Sequence, residues 1–229
     1  ESKYPDDLGK NERKAGHMTT YMDAIVGKML DKLKELGLDE NTLVIFTGDN
    51  GTGGNLTSRL GDLHLRGGKR TMNEAGTRVP FIARWLGKIP PGTRNPFFTL
   101  MDVMPTIASI ADIPITHEID GQNLAHNFLD KSGKDREQFF MAFEGGVYFV
   151  RDHRFRLHED GRLYDVSVST NKTRYNMNPL DPKLHPESRH ELQKHLNTYM
   201  EIHQTDTSYS IVPFGTNGDN FKNAQDQKK

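Results

Sequence analysis

The 229-residue chain contains no cysteine, which excludes disulfides, thiolate metal sites and thiol catalysis within it. It also lacks a surplus of charge of either sign. Lys and Arg number 30 against 31 Asp and Glu, so nothing draws the chain generally toward nucleic acid or an anionic membrane, and any anion binding must be local. Apolar residues make up only 34%, and no apolar run is long enough to span a bilayer. The sequence opens at Glu1 without a methionine or a signal-like stretch, which reads as a processed product or a fragment. What remains is long enough to bury a sizeable core in one large domain or two smaller ones.

Residues 1 to 16 are polar and turn-prone and read as a surface lead-in. Tyr21, Met22, Ile25, Val26, Met29, Leu30, Leu33 and Leu36 recur at helical spacing, and Gly37 follows them, which predicts an amphipathic helix ending at that glycine. Thr42 to Thr47 is a short β-branched run expected as a strand covered on both faces, so an α/β domain with a mostly parallel sheet and flanking helices is the expected class. Residues 48 to 77 are glycine-rich and polar, predicting a long loop without regular structure of its own, and loops of that length inside compact domains usually carry function. Arg78 to Trp85 reads as a second strand. Met101 to Ala111 has the spacing of a short helix, with Asp102 and Pro105 near its start.

The composition changes after about residue 130. Short strand-like runs from Phe139 to Val166, separated by Glu144-Gly-Gly146 and Glu159-Asp-Gly161, predict a small antiparallel meander, and Glu187 to Met200 predicts a helix. The division expected is 1–135, 136–207 and a polar extended tail over 208–229. Arg151, His153, Arg154, Arg156 and His158 alternate along a strand and read as a solvated face, with a contribution to a substrate rim as the other reading. Asn55-Leu-Thr57 and Asn171-Lys-Thr173 match the glycosylation acceptor, a pattern too short to assign a role.

Asp49-Asn50-Gly51 follows the first strand directly. A carboxylate and an amide oxygen at the carboxyl end of a strand suit a hard cation such as Ca²⁺ or Mg²⁺, and the same three residues equally favour a plain tight turn. In Arg66-Gly-Gly-Lys69, two glycines let the backbone approach a ligand and the lysine offers a compact charge to an anionic oxygen. A solvated loop lysine is the other reading, and Arg70 rules out a Walker loop. His64 lies in the same stretch and is a candidate substrate contact. His17 reads as an exposed or capping residue.

In combination the motifs are more specific. Tyr21-Met-Asp-Ala24 with Val26-Gly27, Asn41-Thr-Leu-Val-Ile-Phe-Thr-Gly-Asp-Asn-Gly51, Arg66-Gly-Gly-Lys69, Glu74-Ala-Gly-Thr-Arg-Val-Pro80, Met101-Asp-Val-Met-Pro-Thr-Ile107 and Asp120-Gly121 together resemble the second half of the sulfatase catalytic domain, of the alkaline-phosphatase superfamily, over residues 17 to about 170. The resemblance implies a hydrolase of sulfate esters, either sulfated sugars or aryl sulfates, in a periplasmic or secreted setting. It implies that Asp49 and Asn50 help hold an active-site Ca²⁺, that Lys69 contacts the sulfate group, and that Glu74 and Arg78 support the loop. The family's nucleophile is a formylglycine made from Cys or Ser, and no Cys or Ser-x-Pro-x-Arg string occurs in this chain. The nucleophile half would therefore be a partner, and the isolated chain is expected neither to turn over an aryl sulfate nor to bind Ca²⁺ tightly. Two other readings remain: a catalytically silent folding or binding module, and a phosphate or phosphonate ester hydrolase of the same superfamily.

Overall fold

The structure is a computed structural model that describes residues 8–60, 63–129, 132–143, 147–166 and 178–205, with backbone alone at 59, 60, 63, 143 and 203–205. The tail expected over 208–229 and the Asn171 acceptor lie outside the described residues. Two compact units are present, with Glu137 closing the main run of the first and Gln138 opening the second.

The first unit begins with α1 (Lys10–Glu35). The helix starts well before its apolar stripe, inside the stretch expected as a lead-in. Glu12, Arg13, Lys14 and Ala15 are all good helix formers, and the Glu12 carboxylate accepts the Thr57 backbone N–H at 3.1 Å. Its other end falls where the sequence places it, with Leu36 as the cap and Gly37 at φ 67°. The amphipathic stripe, however, is uncovered among the described residues: Met18, Tyr21, Met22, Ile25 and Met29 are all exposed.

Next come β1 (Val44–Thr47), β2 (Thr57–Leu60), β3 (Leu63–Arg66), the single turn α2 (Glu74–Thr77) and β4 (Phe81–Arg84). The mostly parallel sheet is not found among the described residues. β1 pairs antiparallel with β4, Val44 opposite Arg84 and Thr47 opposite Phe81. The connection lacks the helix that usually carries a parallel crossover, since among its described residues the only helix is the four-residue α2. Nor is β1 covered on both faces; Val44, Ile45 and Phe46 are half-buried and Thr47 is exposed.

The segment expected as an irregular loop also carries structure. β2 and β3 form an antiparallel hairpin, with Thr57 opposite Arg66 and Arg59 opposite His64. Its sequence signal is the alternation of Thr57-Ser-Arg-Leu60 and Leu63-His-Leu-Arg66 about Gly61-Asp62, and the surrounding glycines masked it.

The rest of the unit contains α3 (Val103–Ile110) and α4 (Ala125–Leu129). Phe81, Phe98 and Phe128 form an aromatic cluster with centroids 4.8 to 5.9 Å apart, which packs β4 against α4. Asp102 is wholly buried. It accepts the Thr99 N–H at 2.8 Å, the Gln122 N–H at 2.8 Å and the Arg136 guanidinium at both oxygens. Arg136 also donates to the Asp120 carbonyl at 3.0 Å, so one ion pair ties the start of α3 to Asp120-Gly121.

The second unit is a four-stranded antiparallel meander, β5 (Phe139–Phe143), β6 (Val147–Arg151), β7 (Phe155–His158) and β8 (Leu163–Asp165), followed by α5 (Pro186–Thr205). One face sends Val150, Phe155, Leu157 and Leu163 onto Leu192 and Leu196 of α5. Alternation puts Phe149, Arg151, Arg156, His158 and Tyr164 on the other face.

That second face corrects the solvated-face expectation. His153 and Arg154 are exposed, but Arg151, Arg156 and His158 are 8%, 3% and 3% exposed. The Arg156 guanidinium lies 4.9 Å from the Tyr164 ring and 5.6 Å from that of Phe149, and the His158 ring stacks on Phe149 at 5.7 Å. An aromatic face accepts the edge of a guanidinium, which helps Arg156 to be withdrawn from water.

Neither His158 ring nitrogen has a hydrogen-bond partner, and burial, followed by the charges of Arg156 and Arg162, lowers its pKa from 6.5 to about 4 against the opposing pull of Asp160. The native state therefore favours the neutral ring, while the unfolded chain takes up the proton first. Stability should be full above pH 6.5 and fall by up to about 3 kcal/mol on acidification to pH 4. Urea unfolding followed by far-UV ellipticity across that range checks this, with His158→Phe expected to remove the slope. An equal slope in both proteins would assign it elsewhere.

Candidate functional site

Asp49 and Asn50 stand just past the carboxyl end of β1, Asp49 exposed and Asn50 half-buried. Backbone hydrogen bonds between three short segments hold this position. The Gly51 N–H donates to the Gly76 carbonyl at 2.9 Å, the Lys69 N–H to the Thr52 carbonyl at 2.9 Å and the Gly67 N–H to the Leu56 carbonyl at 2.8 Å. The hairpin thus leaves the segment that follows Asp49-Asn50 and returns beside it at Lys69.

Only glycine permits such close backbone packing at Gly51, Gly67 and Gly76. A Cβ on Gly51 would overlap the Ala75 carbonyl, and one on Gly67 would overlap the carbonyls of Thr52 and Gly53. Gly51→Ala should therefore cost about 1–3 kcal/mol, the scale of an overpacked interior. Gly27→Ala, in α1 with open space around it, should instead stabilise by about 0.5–1 kcal/mol. Urea midpoints of both variants read the contrast directly.

The supports of the loop lie next to it. The Asn73 side chain accepts the Gly76 N–H at 3.0 Å, and the Thr71 hydroxyl donates to the Gly68 carbonyl at 2.6 Å. Arg78 Nε donates to Glu74 Oε2 at 2.6 Å, and Glu74 is 1% exposed. Asn73 and Thr71 were missed in the sequence reading, although Asn before a Glu-Ala-Gly turn is itself a helix-start signal. Arg70 adopts φ 68°, an uncommon left-handed conformation for a non-glycine, directly after Lys69.

Of the candidates from sequence, Lys69 is tied by its backbone to Thr52, in the segment that follows Asp49-Asn50, and its side chain is exposed. His64 is placed apart, exposed on β3. Asp49 and Asn50 offer hard oxygen donors of the kind Ca²⁺ takes, but only two of the six to eight it needs. Among the described residues no group of three His, Cys, Asp or Glu side chains is arranged to hold a metal.

The Sulfatase family profile matches residues 6–113, which contain every element of this site. That match is a partial one, to the sulfatase family, over fewer than half of the residues of this chain. Human arylsulfatase A is 36% identical over 144 residues, covering 60% of this chain and 28% of that protein. A Bacteroides thetaiotaomicron structure from work on its metabolism of multiple glycosaminoglycans superposes with a TM-score of 0.64 at 26% identity, covering 79% of this chain and 43% of the other. The PsFucS1 sulfatase from Pseudoalteromonas shares the fold, with a TM-score of 0.65 at 21% identity over 92% of this chain and 48% of that one. The chain thus spans less than half the length of these relatives. Among the described residues no helix is long and apolar enough to cross a membrane.

Proposed function

We propose that this chain is the C-terminal portion of a sulfuric ester hydrolase, in which Asp49 and Asn50 complete a calcium site and Lys69 holds the sulfate group. The observation that carries the reading is the hydrogen bond from the Lys69 N–H to Thr52, which ties the one loop lysine after the double glycine to the segment after Asp49-Asn50. A metal-side carboxylate and an anion-binding ammonium on adjoining backbone form the pair that a sulfate ester requires.

Calcium, when bound, supplies fixed positive charge to the sulfuryl oxygens. The Asp49 carboxylate and the Asn50 amide oxygen would be two of its ligands, the others coming from the portion of the sulfatase domain that this chain does not span. The Lys69 ammonium donates to a second sulfuryl oxygen and offsets charge that grows as the S–O bond to the leaving alcohol breaks. Glu74 and Arg78 brace the backbone on which Lys69 stands, and Gly51 and Gly67 let the two segments meet.

The test joins this chain to the N-terminal portion of a related sulfatase and compares 4-nitrocatechol sulfate with 4-nitrophenyl phosphate. Sulfate hydrolysis that is abolished by chelation and restored by Ca²⁺ is expected. Preferential turnover of the phosphate would assign the site to phosphoester chemistry.

A further inference from the structure

Lys69 is held on its C-terminal side as well as through its bond to Thr52. The Thr71 N–H and the Thr71 hydroxyl both donate to the Gly68 carbonyl, at 2.9 and 2.6 Å, and close a turn with Lys69 and Arg70 at its two central positions. Of those two, only Arg70 has a positive φ, 68°, which is the sign pattern of a type II turn. Glycine or asparagine is usual at that second central position, because a Cβ there crowds the carbonyl that follows. This chain keeps an arginine in it, directly beside the loop lysine, so the surroundings must hold the strained conformation in place.

The start of α2 backs the turn. A Cβ on Gly76 would overlap the carbonyls of Gly68 and Thr71, and one on Gly68 would press on Asn73 Oδ1, the atom that accepts the Gly76 N–H at 3.0 Å. Gly68 and Gly76 are buried, so packing fixes where the Gly68 carbonyl sits. Thr71 is exposed, and nothing in the packing calls for its hydroxyl. A threonine in that position could give its O–H to water, yet it adds a second bond to a carbonyl that its own N–H already engages.

We infer that Thr71 is a positioning residue for Lys69: its paired bonds to the Gly68 carbonyl keep Arg70 in the left-handed conformation and so fix the direction in which the Lys69 side chain leaves the backbone. The inference rests on the reading of Lys69 as the group that holds the sulfate. A lysine carries its ammonium on a long flexible stem, and on a mobile backbone that charge would sweep a wide volume. Anchoring the backbone at Lys69 narrows the volume without any contact between Thr71 and the ester. Misplacing a catalytic charge by a small distance costs rate, whereas the fold hardly registers it.

Two measurements separate this role from a purely structural one. In the chain alone, amide hydrogen exchange at Thr71 should quicken about tenfold in Arg70→Val, whose branched Cβ resists a positive φ, and stay within about twofold of wild type in Arg70→Gly. In the complete enzyme, with 4-nitrocatechol sulfate as substrate, Thr71→Val keeps the shape and removes the hydroxyl. It should lower kcat/KM about tenfold, mainly through kcat and with an unchanged melt, and Thr71→Ser should restore most of the loss. The double variant is the sharpest reading: in a Lys69→Ala background Thr71→Val should have almost no further effect, because the group it positions is gone. The inference is overturned by kcat/KM unchanged in Thr71→Val, by an equal loss in both backgrounds, or by Thr71 exchange that is the same in Arg70→Val and Arg70→Gly. A Lys69→Ala enzyme with undiminished kcat/KM would instead remove the sulfate-holding role of Lys69, with the exchange contrast at the turn still standing.

Discussion

Lys69→Ala in the complete enzyme is expected to lower kcat/KM by about two to three powers of ten, the scale seen on removing one preorganised electrostatic stabiliser. The ammonium would contact a sulfuryl oxygen in the bound ester and more strongly as charge develops toward the leaving oxygen, so kcat should fall along with kcat/KM. Stability should change by no more than about 0.5 kcal/mol, because the side chain is exposed and the bond to Thr52 uses the backbone N–H that alanine retains. Lys69→Arg should rescue only in part, since a planar fork cannot take the place of a compact ammonium without moving the anion. Steady-state kinetics and a thermal melt on wild type and both variants decide the matter. An unchanged kcat/KM with an unchanged melt would reduce Lys69 to a solvated loop residue.

Asp102→Asn is expected to cost about 3–5 kcal/mol, the range for breaking a buried ion pair by removing one partner. The substitution preserves shape but leaves the Arg136 guanidinium buried against a neutral amide, one of whose two oxygen acceptors has become a donor. Three attachments then weaken together: the Thr99 cap, the Gln122 N–H and the Arg136 clamp that also reaches the Asp120 carbonyl. Asp102→Asn/Arg136→Gln should be less damaging than the sum of the two single changes, because no buried charge remains unpaired. Urea unfolding of the four proteins measures the coupling, and additive losses would show that the two residues act separately.

The fold and the candidate site were legible in unequal measure. Periodicity located α1 and its glycine end, the short α3 and the meander with its following helix, because each is decided by neighbours within a few residues. The hairpin was hidden because its strands are only four residues each and sit among glycines that suggest irregular backbone. Arg136 gave no local signal at all. Its partner Asp102 is 34 residues away, and only the folded chain shows that the two resembling runs around Asp102 and Asp120 are joined by one guanidinium.

Residue identity and order alone set the chemistry on offer: no thiol, no surplus charge, two hard oxygen donors after a strand-like run and a lysine after a double glycine. Those follow from residue identity and need no coordinates. Tertiary structure decided what could be reached. It paired β1 and β4 antiparallel, with no crossover helix among the described residues between them, and it buried Arg156 and His158 against the Phe149 and Tyr164 rings on a packed sheet face. It also set Lys69 beside the segment after Asp49, because Gly51 and Gly67 have no side chain to keep backbones apart. Residue type is a property of the chain, whereas pairing direction, burial and proximity depend on residues far apart in sequence, and only the fold brings those into contact.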